Sequence, residues 1–363
     1  MGLRVLVLCA DIGEGHVTVA QALTASLRDH ERVDAVELRT DLTVMGARMG
    51  RFMDNGFRTH IDGSGWSYDL AYRVFFEPEL PRRAGQLALA LLGGRGLRRT
   101  IADFKADVVV AEYPVLSAAL GELRALGRLP VPVCSSISDP AGLYYWAHPG
   151  VDMHLLSWPQ SLAEADRIAG PGKSTVVRPA IDARYMEPLD RASARAELGL
   201  PMDVPVVVVS GGGWGMGDLA GAAEVASDLL TDGLVVALAG RSEDAHTALS
   251  ARFAQDRGVR VLGFTRQMPE LLMAADALIH TTGGTTALEA QVVGCPLINF
   301  GSSVAHVRAH ARALAELGMA RWAPDRQALE PALRATLAAG RRQPMVVDGL
   351  PRAADVVVGV AGR

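Results

Sequence analysis

The chain has 363 residues, of which 49% are hydrophobic and 21% charged, and its formal net charge is −4 at pH 7. This composition is typical of a globular protein of about two domains, and the acidic balance argues against general nucleic-acid binding, which leaves a basic footprint. The three cysteines, Cys9, Cys134 and Cys295, lie in or beside apolar runs, so we expect buried reduced thiols and no disulfide framework.

No apolar run approaches the roughly 20 residues that span a bilayer. Residues 5–10 are apolar but too short for the core of a signal peptide, and Asp11 follows them at once. We therefore expect a cytoplasmic protein whose contact with a membrane would be peripheral, on the inner face of the cell membrane.

The first half of the chain alternates strand-like and helical stretches. Residues 3–9 are apolar throughout, as in a buried parallel strand, and Gly13 and Gly15 follow in a short loop before His16 opens a helix. Further strands are predicted at residues 33–38, 107–111, 131–136 and 153–156. The alternation predicts a doubly wound α/β domain.

Residues 52–76 interrupt this pattern with clustered aromatic side chains, and a helical stretch follows them up to residue 105. Leu80, Ala84, Leu87 and Leu91 recur there at helical spacing, with arginines on both sides. One interpretation is an apolar and basic surface for a lipid acceptor or an anionic membrane. The alternative is a core helix with a solvated basic face.

A second α/β unit follows a break at residues 170–172 and Pro179. Its strands are predicted at residues 204–209, 234–239, 259–262, 277–280 and 296–299. We place the first domain at residues 1–165, a linker at 166–189, the second domain at 190–345, and at 346–363 a C-terminal helix that could pack back on the first domain. The predicted fold is α/β, with two Rossmann-like doubly wound domains facing a central cleft and ligands at the carboxyl ends of the strands.

Glycine-rich loops follow several strands of the second domain. Residues 281–286 join two apolar runs and open a helix that carries Glu289. Free N–H groups and the positive end of the dipole make such a helix start a place to hold phosphate. A carboxylate near the start of that helix could reach a ribose hydroxyl, so Glu289 is the predicted ribose ligand. The alternative is an exposed carboxylate that gains only from the helix dipole.

Short motifs in both halves resemble those of the monogalactosyldiacylglycerol synthase and processive diacylglycerol glucosyltransferase family. They are Gly13, Gly15-His16, Ser138-Asp139, Trp146, His148, residues 211–217, Gly240-Arg241, Gly263-Phe264, Met268 and residues 283–290. The resemblance covers most of the chain. It implies a GT-B, family 28-like, inverting glycosyltransferase in which the first domain binds the acceptor and the second binds the donor.

The resemblance also implies the chemistry. A hexose would move from a nucleotide sugar, UDP-linked, to the hydroxyl of a lipid or prenyl-type acceptor, with no metal and no cofactor besides the UDP-sugar co-substrate. The base would be His16 or Asp139. We expect the helix N-terminus to lower the pKa of His16, so that its neutral ring can accept a proton. Asp139 has a structural alternative as the cap of the next turn, because Pro140 follows it.

The predicted acceptor ligands are Gly13, Gly15, Trp146 and His148, although His148 could equally be a structural loop histidine. The predicted donor ligands are Gly211, Gly212, Gly213, Arg241, Phe264, Thr265, Met268, Gly283, Gly284, Thr285, Thr286, Glu289, His306 and His310. For the glycines the alternative is a tight turn alone, and for Phe264 it is a place in the core.

Two departures from the family pattern affect the donor site. Thr281 stands where the family has a lysine, and Arg241 and Arg178 are the candidate replacements for that charge. Residues 304–310 replace a Gly-Gln-Glu segment that contacts the sugar. His306 and His310 lie one helical turn apart there and could face the sugar together. A soluble acceptor, a catalytically inactive nucleotide-sugar-binding protein and a GT-B epimerase remain alternatives.

Overall fold

The computed structural model describes residues 2–11, 14–47, 49–51, 74, 78–187, 189–301 and 305–362, with the backbone alone at residues 305 and 306. Contacts divide the chain into two compact units. The first comprises residues 1–181 and 347–363, and the second comprises residues 182–303 and 307–346. Each unit contains a six-stranded sheet.

The first unit has a parallel sheet in the order β2-β1-β3-β4-β5-β6. Its strands are β1 (Leu3–Cys9), β2 (Val33–Arg39), β3 (Val108–Glu112), β4 (Val133–Ile137), β5 (Met153–Leu156) and β6 (Ser174–Val176). Its described helices are α1 (Glu14–Arg28), α2 (Glu79–Phe104), α3 (Pro114–Ala125), α4 (Leu162–Ala169) and α12 (Ala353–Ala361). The direction of winding reverses between β1 and β3, which makes the loops after these strands a topological switch point.

The second unit has a parallel sheet in the order β12-β11-β10-β7-β8-β9. Its strands are β7 (Val206–Ser210), β8 (Leu234–Leu238), β9 (Val259–Leu262), β10 (Ala277–His280), β11 (Leu297–Phe300) and β12 (Arg321–Ala323). Its described helices are α5 (Arg191–Glu197), α6 (Leu219–Leu229), α7 (Glu243–Arg252), α8 (Met268–Ala274), α9 (Thr285–Val292), α10 (Ala305–Glu316) and α11 (Arg326–Ala339). This is the strand order of the dinucleotide-binding fold, and its switch point lies between β7 and β10.

Two edge strands were not predicted. The strands β6 and β12 have 3 residues each, too short to show a periodic pattern in the sequence. Because β6 pairs with β5, residues 166–181 belong to the first unit, although we predicted them as linker. The C-terminal helix α12 also belongs to this unit, where the buried Val357 packs against strand residues such as Val5 and Val108.

The helix α2 buries one face and exposes another. Its buried residues are Gln86, Ala90, Gly93, Gly94, Leu97 and Ile101. The stripe that we considered as a possible core face is on the outside, with Leu80 exposed by 81%, Leu87 by 38% and Leu91 by 53%. This stripe is therefore not a core face, although α2 packs on the core through Leu97 and Ile101. Across the described ranges, no helix combines the length and the apolar character needed to cross a membrane.

Candidate active site

A histidine and a carboxylate meet at the switch point of the first unit. His16 lies in the first turn of α1, and Glu112 is the last residue of β3. The Nδ1 atom of His16 is 3.6 Å from Oε1 of Glu112; the Glu112 side chain is fully buried, whereas the His16 side chain is 22% exposed. Ser138, which follows β4, donates its hydroxyl to the same Oε1 at 3.1 Å. Three neighbouring strands thus bring polar groups to one edge of the sheet.

The environment of His16 raises its pKa, contrary to our expectation. Burial alone would lower the pKa, but the carboxylates of Glu112 and Asp139 outweigh it. Burial in turn raises the pKa of Glu112. The prediction of a lowered pKa considered only the helix N-terminus and overlooked the carboxylate of Glu112 beside His16. The imidazole of His16 packs against the rings of Tyr113 and Trp146, whose centroids lie 5.3 Å and 5.6 Å from its own. These contacts fix the plane of the imidazole.

Asp139 is held by the indole of Trp146. The Nε1 atom of this buried tryptophan donates to Oδ2 of Asp139 at 2.7 Å. The N-cap position of the following turn, Leu143–Tyr145, is Gly142, so capping that turn is not the role of Asp139. A carboxylate with a fixed orientation near His16 can either accept a proton or stabilise the imidazolium.

His148 makes contacts typical of a structural histidine. Its Nε2 atom donates to Glu122 at 3.0 Å, and its Nδ1 atom accepts from the backbone N–H of Gly150 at 3.0 Å. Burial lowers its pKa. Both ring nitrogens are thus engaged, which favours the structural alternative for His148. Gly15 lies in α1, and Gly13 lies outside the described residues.

In the second unit, the loops after β7 and β10 are bonded to each other at the switch point. The backbone N–H of Thr281 donates to the carbonyl of Ser210 at 3.1 Å, and its hydroxyl donates to the carbonyl of Met216. Nδ1 of His280 donates to the same Ser210 carbonyl at 3.0 Å. Burial lowers the pKa of His280 to about 4, so this ring stays neutral. Thr281, which replaces the family's lysine, joins the two glycine loops instead of supplying charge.

Close packing of these loops requires glycine at several positions. Gly217 has φ +87°, and a Cβ there would lie 2.6 Å from Cβ of Thr281. A Cβ at Gly240, where φ is +62°, would lie 2.5 Å from the carbonyl oxygen of Gly213, which accepts from the N–H of Arg241 at 2.8 Å. Such close contacts leave no room for a side chain at either glycine. Gly211 is similarly enclosed, whereas a Cβ at Gly212 would contact only Thr282.

Arg241 stacks on Phe264 beside the loop that follows β9. The guanidinium carbon lies 3.7 Å from the centroid of the ring, and Phe264 is 46% exposed, so it is not a core residue. The pair forms a flat, positively charged platform that could stack on a base or contact a phosphate. Thr265 accepts from the N–H of Gln267 at 3.0 Å just before Met268 begins α8.

Glu289 is buried and hydrogen-bonded within the second unit. Only 7% of its surface is exposed, so the alternative of an exposed helix carboxylate was wrong. The hydroxyls of Tyr185 and Thr286 hydrogen-bond to its carboxyl, but burial is the larger effect and raises its pKa to about 8. Gly284 is the N-cap of this helix, with φ +83°, and Thr285 is its first residue.

His310 is buried in α10 and packs on the glycine loop, since Nδ1 would lie 3.3 Å from a Cβ on Gly283. The side chain of His306 lies outside the described residues, so the predicted pairing of the two histidines stays a prediction. Within the part of the chain that the structure describes, no three His, Cys, Asp or Glu side chains group as metal ligands would.

The sequence of the second unit is similar to a known family of domains. Residues 206–348 match the Glycosyltransferase family 28 C-terminal domain. The matched residues cover most of the second unit. Acinetobacter baumannii MurG superposes on the chain with a TM-score of 0.60 at 17% identity, covering 99% of each chain. Such structural neighbours confirm the predicted GT-B fold.

Curated relatives of this GT-B chain confirm the resemblance seen in its motifs. Monogalactosyldiacylglycerol synthase 1 of Arabidopsis thaliana is 26% identical over 316 residues, which cover 81% of this chain and 57% of that protein. Processive diacylglycerol beta-glucosyltransferase of Staphylococcus saprophyticus is 20% identical over 304 residues, covering 81% of this chain and 74% of that protein. The chain thus spans less than two thirds of the length of the plant relative.

Two residues of the candidate site were missed in the sequence, Glu112 and Tyr185. Glu112 had a readable signal, because it is a carboxylate at the carboxyl end of an otherwise apolar strand. Tyr185 had none, because it lies in a short turn without periodicity.

Proposed function

We propose that this protein is an inverting hexosyltransferase that moves a sugar from a UDP-linked donor to the hydroxyl of a lipid acceptor, diacylglycerol or a prenyl-type lipid. The observation that carries the proposal is the His16–Glu112 pair at the switch point of the first unit, 3.6 Å apart. The family 28 domain of the second unit supports a sugar-nucleotide donor, and the curated relatives named for diacylglycerol and its galactolipid support the acceptor class.

In the proposed reaction His16 is the base. With a proton on Nδ1 directed at Glu112, the Nε2 atom of the neutral ring accepts the proton of the acceptor hydroxyl. The hydroxyl oxygen bonds to the anomeric carbon as the bond from that carbon to the diphosphate oxygen breaks. The proton stays on His16 as imidazolium, which the carboxylates of Glu112 and Asp139 stabilise, and the nucleoside diphosphate leaves.

The glycine loops of the second unit would hold the diphosphate. Backbone N–H groups of Gly213 and of residues 282–284, with the N-terminus of α9, can meet the charge that develops on the leaving group. Arg241 would supply the cation that Thr281 cannot, and its stacking on Phe264 keeps the guanidinium in place. On this proposal no metal is required for the leaving group. Glu289 would accept the ribose hydroxyls.

The acceptor would be reached at an anionic membrane surface. The exposed stripe of α2, Leu80, Leu87, Leu91 and Leu92, lies on the same helix as the exposed arginines Arg83, Arg95, Arg98 and Arg99. Apolar side chains that enter the interface together with basic side chains that meet anionic headgroups are the elements of peripheral attachment. This combination supports the proposal that the protein makes glycolipid at a membrane surface.

The test is a transfer assay with UDP-glucose or UDP-galactose and diacylglycerol in vesicles that contain phosphatidylglycerol, in which glycolipid and released UDP are both measured. We expect glycolipid formation by the wild type and its loss in His16→Ala. UDP binding without turnover would instead identify an inactive nucleotide-sugar-binding protein. Transfer to a soluble aglycone but not to diacylglycerol would contradict the proposed acceptor.

A further inference from the structure

A cluster of charged side chains fixes the short turn that begins the second unit. The turn Ala183–Met186 is capped by Asp182, whose carboxylate accepts from the N–H of Arg184 at 3.0 Å. The guanidinium of Arg184 bonds to Asp182 at 2.8 Å, to the buried Glu270 at 2.9 Å and to the carbonyl of Arg266 at 2.9 Å. These bonds tie the turn to α8 and to the loop before it.

The fixed turn directs Tyr185 at Glu289. Tyr185 is buried where the turn packs against α9, and its hydroxyl hydrogen-bonds to the buried carboxyl of Glu289, as does the hydroxyl of Thr286 one turn earlier in α9. A carboxylate has about four acceptor sites, so these two hydroxyls leave positions for further donors. A buried carboxyl held from two sides keeps one orientation, which is what recognition of a ribose diol requires.

We propose that Tyr185 is a positioning residue of the nucleotide site, holding the Glu289 carboxyl in the orientation in which it accepts the hydroxyls of the donor's ribose. The proposal rests on the proposed function, in which Glu289 is the ribose ligand. It adds a residue from the start of the second unit that none of the glycine-loop motifs contains. Tyr185 itself need not touch the nucleotide.

The surroundings of Glu289 give this arrangement a pH dependence. Burial raises its pKa to about 8, the hydroxyl bonds of Tyr185 and Thr286 oppose that rise, and the charge of Asp182 adds to it. The charged groups in this cluster are Asp182 and Arg184 from the turn and Glu270 from α8. Because the ionised carboxylate is the better acceptor, UDP should bind more tightly as pH rises towards 8 and should release protons on binding.

The experiment is calorimetric titration of UDP, and of its 2′,3′-dideoxy analogue, into the wild type, Tyr185→Phe and Glu289→Gln, below and above pH 8. Loss of one hydrogen bond predicts that Tyr185→Phe weakens UDP binding about threefold to tenfold. It should also shift the pH dependence of binding to higher pH, because the hydroxyl that favours the ionised carboxylate is gone. The dideoxy analogue should bind the wild type and Tyr185→Phe equally. The control variant Tyr144→Phe should bind UDP as tightly as the wild type does.

The remaining outcomes distinguish this proposal from the proposed function. If Tyr185→Phe weakens UDP and the dideoxy analogue equally, or weakens neither, Tyr185 does not act through the ribose and the proposal is overturned, while UDP binding by the wild type stands. If adding Tyr185→Phe to Glu289→Gln weakens UDP binding further, Tyr185 does not act through Glu289. The proposal is then overturned, while UDP binding by the wild type stands. If the wild type binds no UDP, the proposed function fails and the role of Tyr185 fails with it.

Discussion

The Nδ1 atom of His16 and the Oε1 atom of Glu112 lie 3.6 Å apart where the winding of the first sheet reverses. This distance is longer than a hydrogen bond, but in ligand-free enzymes such contacts are often loose and tighten when substrate binds. The pair joins a partly exposed imidazole to a fully buried carboxylate. A buried carboxylate without a hydrogen-bond donor beside it is costly, so Glu112 favours the tautomer of His16 that carries its proton on Nδ1 and leaves Nε2 as the acceptor.

Replacing Glu112 should change both the rate and its pH dependence. Without His16, a rate loss of about a hundredfold to ten thousandfold is expected for removal of a general base. Glu112→Gln keeps the shape of the side chain, and we expect a smaller loss of about tenfold or more in kcat. Since Glu112 raises the pKa of His16, and activity falls as pH drops through that pKa, the acid limb of kcat/KM should move to lower pH in Glu112→Gln. An unmoved limb would show that the titrating group is not His16.

Asp139→Asn distinguishes the two candidate bases. The amide oxygen of Asn can still accept from the indole of Trp146, so the local structure should survive. If His16 is the base, the substitution removes only a charge that raises the pKa of His16, and the rate loss should be at least about tenfold smaller than that of His16→Ala. Equal losses in Asp139→Asn and His16→Ala, measured as kcat with saturating acceptor, would assign the base to Asp139.

The fold was readable because buried parallel strands are continuous apolar runs. The ten strands that we predicted are present, with shifts of a few residues at their ends. We missed the edge strands Ser174–Val176 and Arg321–Ala323, because three residues are too few to show a pattern of apolar side chains. The glycine loops could also be predicted, because Gly217 and Gly240 allow close contacts that no residue with a Cβ permits. Contacts between distant segments were not readable. Tyr185 and Glu289 are far apart in sequence, and no spacing rule connects them.

Membrane attachment through α2 can be tested with exposed leucines. Replacing Leu91 and Leu92 with Ser removes apolar side chains that would enter the interface, and each fully buried leucine contributes about 1.5–3 kcal/mol. We expect binding to phosphatidylglycerol vesicles to fall more than about tenfold in co-sedimentation. Leu126→Ser is the matched control, since Leu126 is also an exposed leucine of the first unit but lies at the end of α3. Equal binding by the double variant and the control would rule out this surface.

The arginines of α2 give an independent test of the same surface. Each basic side chain near an anionic membrane contributes about 1 kcal/mol, so Arg95→Glu with Arg98→Glu should weaken vesicle binding by about tenfold or more. The effect should shrink at high salt, where charges are screened, whereas the effect of the leucine substitutions should persist. Vesicles of neutral phosphatidylcholine should not discriminate between this variant and the wild type. Discrimination by neutral vesicles would mean that the arginines act through folding.

The packing of the two donor loops predicts a difference between two glycines of similar backbone conformation. Gly217 and Gly318 have φ +87° and +64°, so alanine at either is strained by about 1 kcal/mol or more. At Gly318 no atom lies within 4 Å of the added Cβ, whereas at Gly217 the Cβ would lie 2.6 Å from Thr281. Gly217→Ala should therefore lower the melting temperature further and weaken UDP binding, and Gly318→Ala should leave UDP binding unchanged.

The buried carboxyl of Glu289 should make the stability of the protein depend on pH. Its pKa is about 8 in the folded protein against an ordinary value of 4.5, so the folded state binds a proton that the unfolded chain has released between these values. The stabilisation is complete below pH 4.5 and is lost as pH rises through 8, by as much as about 5 kcal/mol.

Glu289→Gln has no charge to bury, so its melting temperature relative to wild type should increase steadily across this range. Glu243→Gln, which alters an exposed carboxylate at the start of α7, should show no such trend. Parallel melting curves for wild type and Glu289→Gln from pH 4.5 to 8 would mean that the carboxyl is ionised in the folded protein, and the proton release predicted on UDP binding would then be absent as well.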